Sequence, residues 1–263
     1  FKSPARQAPE TPPTLRFLRD LLFKSPDQPH HYPFPARHKW RYSSSHPMNP
    51  LTFTRHSGAD SLHRAQALHR ELSTRRTIRH FSPDPIPDGV LDSCLAAAHT
   101  APSGANLQPW HFAVVTSPEM KRRIREAAEA EEREFYHSRA PEDWLEALKP
   151  FGTSWEKPFL ETAPALIAIF QKNRVTLPDG RDSKTYYPKE STGIAAGFLI
   201  AALHHAGLAT LTHTPSPMAF LNLALERPPT EKPFLLLVAG YPAPDCQVPG
   251  ISKLPLEAVV SRH

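Results

Sequence analysis

The chain has 263 residues, 22% of them charged, with 31 prolines, 10 glycines and 2 cysteines. That length allows one well-buried domain plus accessory segments, and two cysteines without metal-ligand spacing exclude a disulfide framework or a zinc module. The net charge of +5 is unevenly placed: residues 1–56 hold 9 Lys and Arg against 3 Asp and Glu, so the remainder is almost neutral and the basic pI is no argument for nucleic-acid binding.

The first 50 residues contain 10 of the 31 prolines, and the first glycine is Gly58. Prolines this dense forbid helix and ladder, so 1–56 reads as a Pro-rich, basic, disordered segment, with a short amphipathic turn at Leu15 to Phe23. The domain is expected over 57–263. Ala59 to Leu72 places Leu62, Ala65, Leu68 and Leu72 at helical spacing. A second helix starts near Asp88 and stops before Pro102, with Cys94 as a small core residue. His111 to Val115 is aromatic and β-branched, hence a strand. Ser117 and Pro118 are the N-cap and first residue of a third helix that runs through Glu132 to about His137.

Further on, Ala165 to Phe170 reads as a buried strand. Ser191 to Ala206 is apolar almost all round and reads as a central core helix, stopped by Gly207. Ala209 to Leu211 and Phe234 to Val238 are short strands. The sum is a single α+β domain without repeats. The longest apolar run, Ile194 to Leu203, falls short of the roughly 20 residues a membrane span needs. Without a signal peptide or a membrane anchor, the expectation is a soluble, reduced, cytoplasmic protein.

Three constellations carry chemistry. Arg75, Arg76 and Arg79, with Thr77 and Ile78 between them, follow the first helix, and guanidinium groups grip phosphate bidentately. On spacing alone, a solvated basic patch is the simpler reading. Glu132 and Tyr136 stand at i,i+4 on one helix face. With Lys157 they offer a carboxylate, a phenol and an ammonium that could hold both ends of an amino-acid zwitterion. Pro102-Ser103-Gly104-Ala105 lies at a helix-to-strand junction where backbone N–H groups can approach a ligand, although alone it is only a turn. Thr212-His213-Thr214-Pro215 follows a strand and equally suits plain β-sequence. No Rossmann, P-loop, HExxH or G-x-S-x-G pattern is present, and no metal site is expected.

The order of the segments is more specific than any one of them. RRTIRHFSPDPIP, TAPSGANLQPW, EREFY, SWEKPFLETAP, THTP and GYP together resemble the nitroreductase-like flavoproteins, and among them the iodotyrosine deiodinase branch. The resemblance implies the nitroreductase-like fold, a central, mostly antiparallel sheet flanked by helices in an interlocked homodimer. It implies FMN at the subunit interface, contacted by Arg75, Arg76, Thr77, Ile78, Arg79 and Ser103. Thr212, His213 and Thr214 would approach the isoalloxazine, with Thr214, the catalytic candidate, donating to flavin N5. Ala105 would present its N–H to the phenolate of a halogenated tyrosine, held at its zwitterion by Glu132, Tyr136 and Lys157.

Two departures accompany the resemblance. His213 occupies the middle of a hydroxyl-rich triplet, and Lys253 stands where an arginine assists with the phosphate, which keeps the charge and loses the fork. The expected activity is reductive dehalogenation, with NADPH or a separate reductase as electron source. The rivals are a general NAD(P)H-dependent nitro or quinone reductase, a flavin-destroying enzyme, and a non-catalytic flavoprotein that senses tyrosine derivatives.

Overall fold

The computed structural model describes residues 49–263; the expectations for 1–48 lie outside the described residues. Residues 49–57 form no helix or strand. The domain from His56 onward begins with α1 (Gly58–Ser73), whose N-cap Ser57 accepts from the Asp60 N–H at 3.1 Å. Then follow α2 (Val90–His99), β1 (Trp110–Val115), α3 (Pro118–Glu134), α4 (Glu142–Leu148), α5 (Phe159–Thr162), β2 (Ala165–Lys172), β3 (Arg174–Thr176), β4 (Asp182–Lys184), α6 (Pro188–His205), β5 (Ala209–His213), α7 (Phe220–Ala224) and β6 (Glu231–Gly240).

The main sheet is antiparallel throughout, in the order β1-β2-β6-β5. Register assigns alternate side chains to opposite faces. Leu166, Ala168 and Phe170 of β2 pack with Leu211, Leu236 and Val238 against Ile124 and Ala128 of α3 and Phe159 and Leu160 of α5. Ile167 and Ile169 turn the other way, joining Leu235, Leu237 and Ala239 under Cys94 and Ala98 of α2 and Ala196, Leu199 and Leu203 of α6. Both faces are therefore covered, which is why Ala165 to Phe170 is an unbroken apolar run rather than an alternating one. The β2–β6 register slips between Ile169 and Phe170, opposite Pro233, which cannot donate a ladder bond.

The elements read from sequence are present within a few residues; the short helices α4, α5 and α7 carried no sequence expectation, and four further differences stand out. The third helix keeps α geometry only to Glu134 and then widens into one π turn, Phe135–Arg139. The stretch 173–187 holds a hairpin, β3–β4, turned at Pro178-Asp179-Gly180; that tripeptide was the available signal. α1 buries none of its residues: Leu62 and Leu68 stay exposed, and its C-terminal end is tied to α6, where His204 Nε2 and His205 Nδ1 meet the Glu71 carbonyl and carboxylate at 2.9 and 2.6 Å. α6 is not buried all round either, since Ile194 and Phe198 are exposed on the side away from the sheet. It ends as expected, at Gly207 with φ +81°. Among the described residues, no helix is long and apolar enough to cross a membrane.

Candidate active site

The arginine strip owes its shape to β5. After α1 the chain runs extended along the outer side of that edge strand; Thr77 bridges Thr210 in parallel, and the Ile78 N–H reaches the Thr210 carbonyl at 3.4 Å. Ile78 is anchored in the core, and its neighbours face a cleft of about 790 Å³. Arg75, Arg76, Thr77 and Arg79 line the cleft together with Thr212 and Lys253, so the strip, the strand and the C-terminal segment meet there. Phe151 and Pro249, which carried no sequence signal, complete the wall; the Arg79 guanidinium carbon lies 5.6 Å from the Phe151 ring centroid, and Arg76 donates to the Pro249 carbonyl.

Among the described residues, four cations and no carboxylate line this cleft. None of the four is paired with an acid among the described residues. Burial lowers the Arg79 pKa, with nearby Tyr136 acting in the opposite direction, and the guanidinium remains a cation. A cation cluster partly withdrawn from water without an internal acid is complementary to a phosphate. The donor set therefore fits a phosphate-bearing cofactor.

The second group of predicted residues converges beside the first. Lys157 is 3% exposed, and its ammonium lies 3.3 Å from Glu132 Oε2 and 5.4 Å from the Tyr136 ring centroid. It also donates to Thr153 Oγ1 at 3.3 Å and to the Ser154 carbonyl. Burial depresses the Lys157 pKa, and Glu132 works against that shift. Burial likewise pushes the Tyr136 phenol up, so it stays protonated at neutral pH. The helix places Glu132, the π turn swings Tyr136 onto the same side, and the chain before α5 brings in Lys157. Arg79 joins the two groups, since it is felt electrostatically by both Tyr136 and Lys157.

The hydroxyl-rich segment divides by strand alternation. Thr212 opens onto the cleft and Thr214 is exposed just beyond β5. His213 turns inward instead, its ring 5.9 Å from that of Phe159, and its Nε2 is buried without a hydrogen-bond partner among the described residues. Its pKa falls to about 3, chiefly through burial and further through the Lys157 and Arg79 charges.

A single chain does not bring Ser103 and Ala105 to this cleft. They sit in the turn that leads into β1, the opposite edge of the sheet, roughly 14 Å away by strand spacing alone. That turn is sharply bent: Ala105 has φ +51°, Ser103 Oγ accepts from the Gln108 N–H at 3.0 Å, and a Cβ on Gly104 would stand 2.9 Å from the Tyr186 carbonyl oxygen. Near this edge a second cleft, of about 810 Å³, is lined by His99, Trp110, His111, Lys172 and Glu231. Its carboxylate, Glu231, is already held, because it takes two 2.8 Å hydrogen bonds from Arg227.

Comparison with known proteins bears on the family and the fold. A sequence model of the nitroreductase family matches residues 72–241. An iodotyrosine deiodinase of Haliscomenobacter hydrossis is 51% identical over 201 residues, covering 76% of this chain and 90% of that protein. The iodotyrosine deiodinase of Nematostella vectensis is 40% identical over 193 residues, 73% of each chain. Among solved structures, an oxidised iodotyrosine deiodinase bound to FMN and 3-iodo-L-tyrosine superposes with a TM-score of 0.63 at 28% identity, covering 74% of this chain and 98% of that one. The chain belongs to the nitroreductase family, in its iodotyrosine deiodinase branch.

Proposed function

We propose that the protein is an FMN-dependent oxidoreductase that removes halogen from halogenated tyrosines. The observation that carries this reading is the convergence of Glu132, Tyr136 and Lys157 beside a cleft that, among the described residues, is lined by four cations and no acid. Arg75, Arg76, Arg79 and Lys253 would hold the FMN phosphate, and Thr77, Ile78 and Ser103 the rest of the cofactor. Thr212, His213 and Thr214 would border its ring system, with the Thr214 hydroxyl as the hydrogen-bond donor at that edge. When bound, FMN supplies the two electrons needed to replace a ring halogen by hydrogen, the halide leaving as an anion and solvent providing the proton.

The protein contributes binding, orientation and exclusion of water. The substrate ammonium takes the place of the Lys157 ammonium at Glu132, the substrate carboxylate takes Lys157 and Tyr136, and the Ala105 N–H donates to the phenolate oxygen. Each ionic group of the ligand thus meets an opposite or donating group in a site withdrawn from water, where such contacts are strongest. A nitroaromatic has no zwitterion to satisfy the clamp.

We also propose a homodimer with the site at its interface. It is supported by the open apolar sides of α1 and α6 and by the position of Ser103 and Ala105 at the edge of the sheet away from the arginines. A second copy would bring its own turn to the cleft. The reducing equivalents would come from NADPH or from a separate reductase. Two free thiols, Cys94 and Cys246, suit a reducing, cytoplasmic setting.

The test is anaerobic. Protein loaded with FMN is reduced by dithionite, mixed with diiodotyrosine and assayed for tyrosine and iodide. With dithionite in excess to re-reduce the flavin, one tyrosine and two iodides per diiodotyrosine are the expected result, each iodide accounting for one two-electron turnover. Rapid NAD(P)H-driven reduction of nitroaromatics without any tyrosine would move the protein to the general reductases.

A further inference from the structure

The inner face of α3 carries two carboxylates one turn apart, and both reach the same lysine. Glu132 Oε2 lies 3.3 Å from the Lys157 ammonium, whereas Glu129 Oε1 accepts the Lys157 backbone N–H at 2.8 Å. These two bonds differ in kind. The ammonium can exchange one anion for another, so its bond to Glu132 is replaceable by a ligand carboxylate. The backbone N–H has no such freedom. It lies just ahead of α5, where main-chain donors lack intrahelical acceptors, and the Lys157 carbonyl is already engaged by the Leu160 N–H at 3.0 Å.

Glu129 is itself held in place. Arg125 on the preceding turn lies 3.9 Å from its Oε1 and 3.5 Å from Glu161 Oε2 on α5, so one guanidinium spans both sides of the junction. The Glu129 side chain is 15% exposed, which shields these contacts from water and salt. The ammonium at the other end has its three donors occupied by Glu132, Thr153 and Ser154. All three contacts depend on where the Lys157 main chain stands.

We propose that Glu129 is the positioning residue of the clamp: its carboxylate fixes the Lys157 backbone, so that the ammonium passes from Glu132 to the carboxylate of a bound amino acid while the chain before α5 stays in place. The identity of that ligand rests on the proposed function; the anchoring does not. Glu129 meets the Lys157 backbone and Arg125, and it would act on the ligand through Lys157.

The experiment uses FMN-loaded protein carrying Glu129→Ala, Glu129→Gln or Arg125→Ala. Dissociation constants are measured for 3-iodotyrosine and for 2-iodophenol, which has no zwitterion, and hydrogen exchange at the Lys157 amide is followed without ligand. Glu129→Ala is expected to weaken iodotyrosine about tenfold and to accelerate exchange at Lys157, because a charge-assisted hydrogen bond is lost. Binding of 2-iodophenol and of FMN should stay within about twofold. Glu129→Gln, whose amide oxygen still accepts the N–H, should bring iodotyrosine back to within about threefold and restore protection. Arg125→Ala should resemble the glutamine variant.

Equal weakening of both ligands by Glu129→Ala would make Glu129 a general structural residue and overturn the proposal. So would a glutamine variant as poor as alanine, or unchanged exchange at Lys157. If Glu129→Ala yields no soluble protein, Glu129→Asp, one methylene shorter, is expected to show the same iodotyrosine defect and loss of protection. Failure of the unmodified protein to bind iodotyrosine would overturn the functional reading instead, and the exchange pattern alone would then decide the anchor.

Discussion

The buried ion pair of Lys157 with Glu132 concentrates the chemistry of the proposed clamp in two side chains. Both are largely withdrawn from water, with side-chain exposures of 4% and 13%. Removing one partner of a buried pair leaves the other charged and unpaired, which costs far more than the net worth of the pair. Lys157→Met is therefore expected to raise the KM for iodotyrosine about 30-fold or more, and Glu132→Gln to act in the same direction, with FMN content unchanged. Unaltered iodotyrosine kinetics in both variants would remove the clamp from the mechanism. His213 makes a second case at this scale. An unfolded histidine binds a proton below about pH 6.5, whereas folded His213 does so only at about 3. Between those values the unfolded state holds the extra proton, so acidification destabilises the fold. Relative to His213→Thr, the wild type should lose up to about 1.4 kcal/mol per pH unit from about pH 6.5 to 4.5. Calorimetry of both proteins across that range checks it; parallel pH profiles would mean that His213 is solvated.

α3 is the element on which the clamp hangs, and its start determines its phase. Ser117 Oγ accepts from the Met120 N–H at 3.4 Å, and Pro118 occupies the first helical position. Ser117→Ala should cost about 1 kcal/mol and lower Tm by about 2–4 °C, read by thermal denaturation; an unshifted Tm would show that the cap contributes nothing. Downstream, the change from α to π geometry at Phe135 was not legible, because the local sequence FYHSR favours neither strongly. The turn is held by packing rather than by propensity: Phe135 makes edge contacts with Tyr136 and with Trp144 of α4, and the Arg133 guanidinium lies over the Trp155 ring at 4.3 Å. Spacing counted as i,i+4 still placed Glu132 and Tyr136 on one side, since one widened turn displaces a side chain without reversing it.

For the molecule as a whole, the unpartnered surfaces tell most. Phe198 is 44% exposed and Leu62 59% exposed, on helices whose other residues follow the apolar spacing of a buried face. Exposed large apolar side chains in groups mark an interaction surface. The expected mass in solution is twice 29.5 kDa, and Phe198→Asp should shift it toward the single-chain value, because a carboxylate in a closed interface goes unpaired. FMN retention should fall in the same variant if Ser103 and Ala105 reach the cofactor from a second copy. Sedimentation of the wild type at 29.5 kDa would exclude the dimer.

Local pattern sufficed for the longer elements: two unbroken apolar β-runs, three helices with helical spacing and a nearly all-apolar α6 were legible because each is specified by neighbouring residues, whereas the short α4, α5 and α7 were not. So was the family, since the order of its motifs survives in one dimension. The tertiary structure decided everything that depends on distant partners. It placed Lys253 beside Arg75, Arg76 and Arg79, turned His213 inward while Thr212 opened onto the cleft, and recruited Phe151 and Glu129, which no local pattern singles out. It also left Ser103 and Ala105 at the far edge of the sheet. The physical reason is common to all of these. A helix or strand is specified by contacts a few residues apart, whereas a cleft is made where β5, the arginine strip and the C-terminal segment happen to meet, and strand order is a property of the folded chain alone.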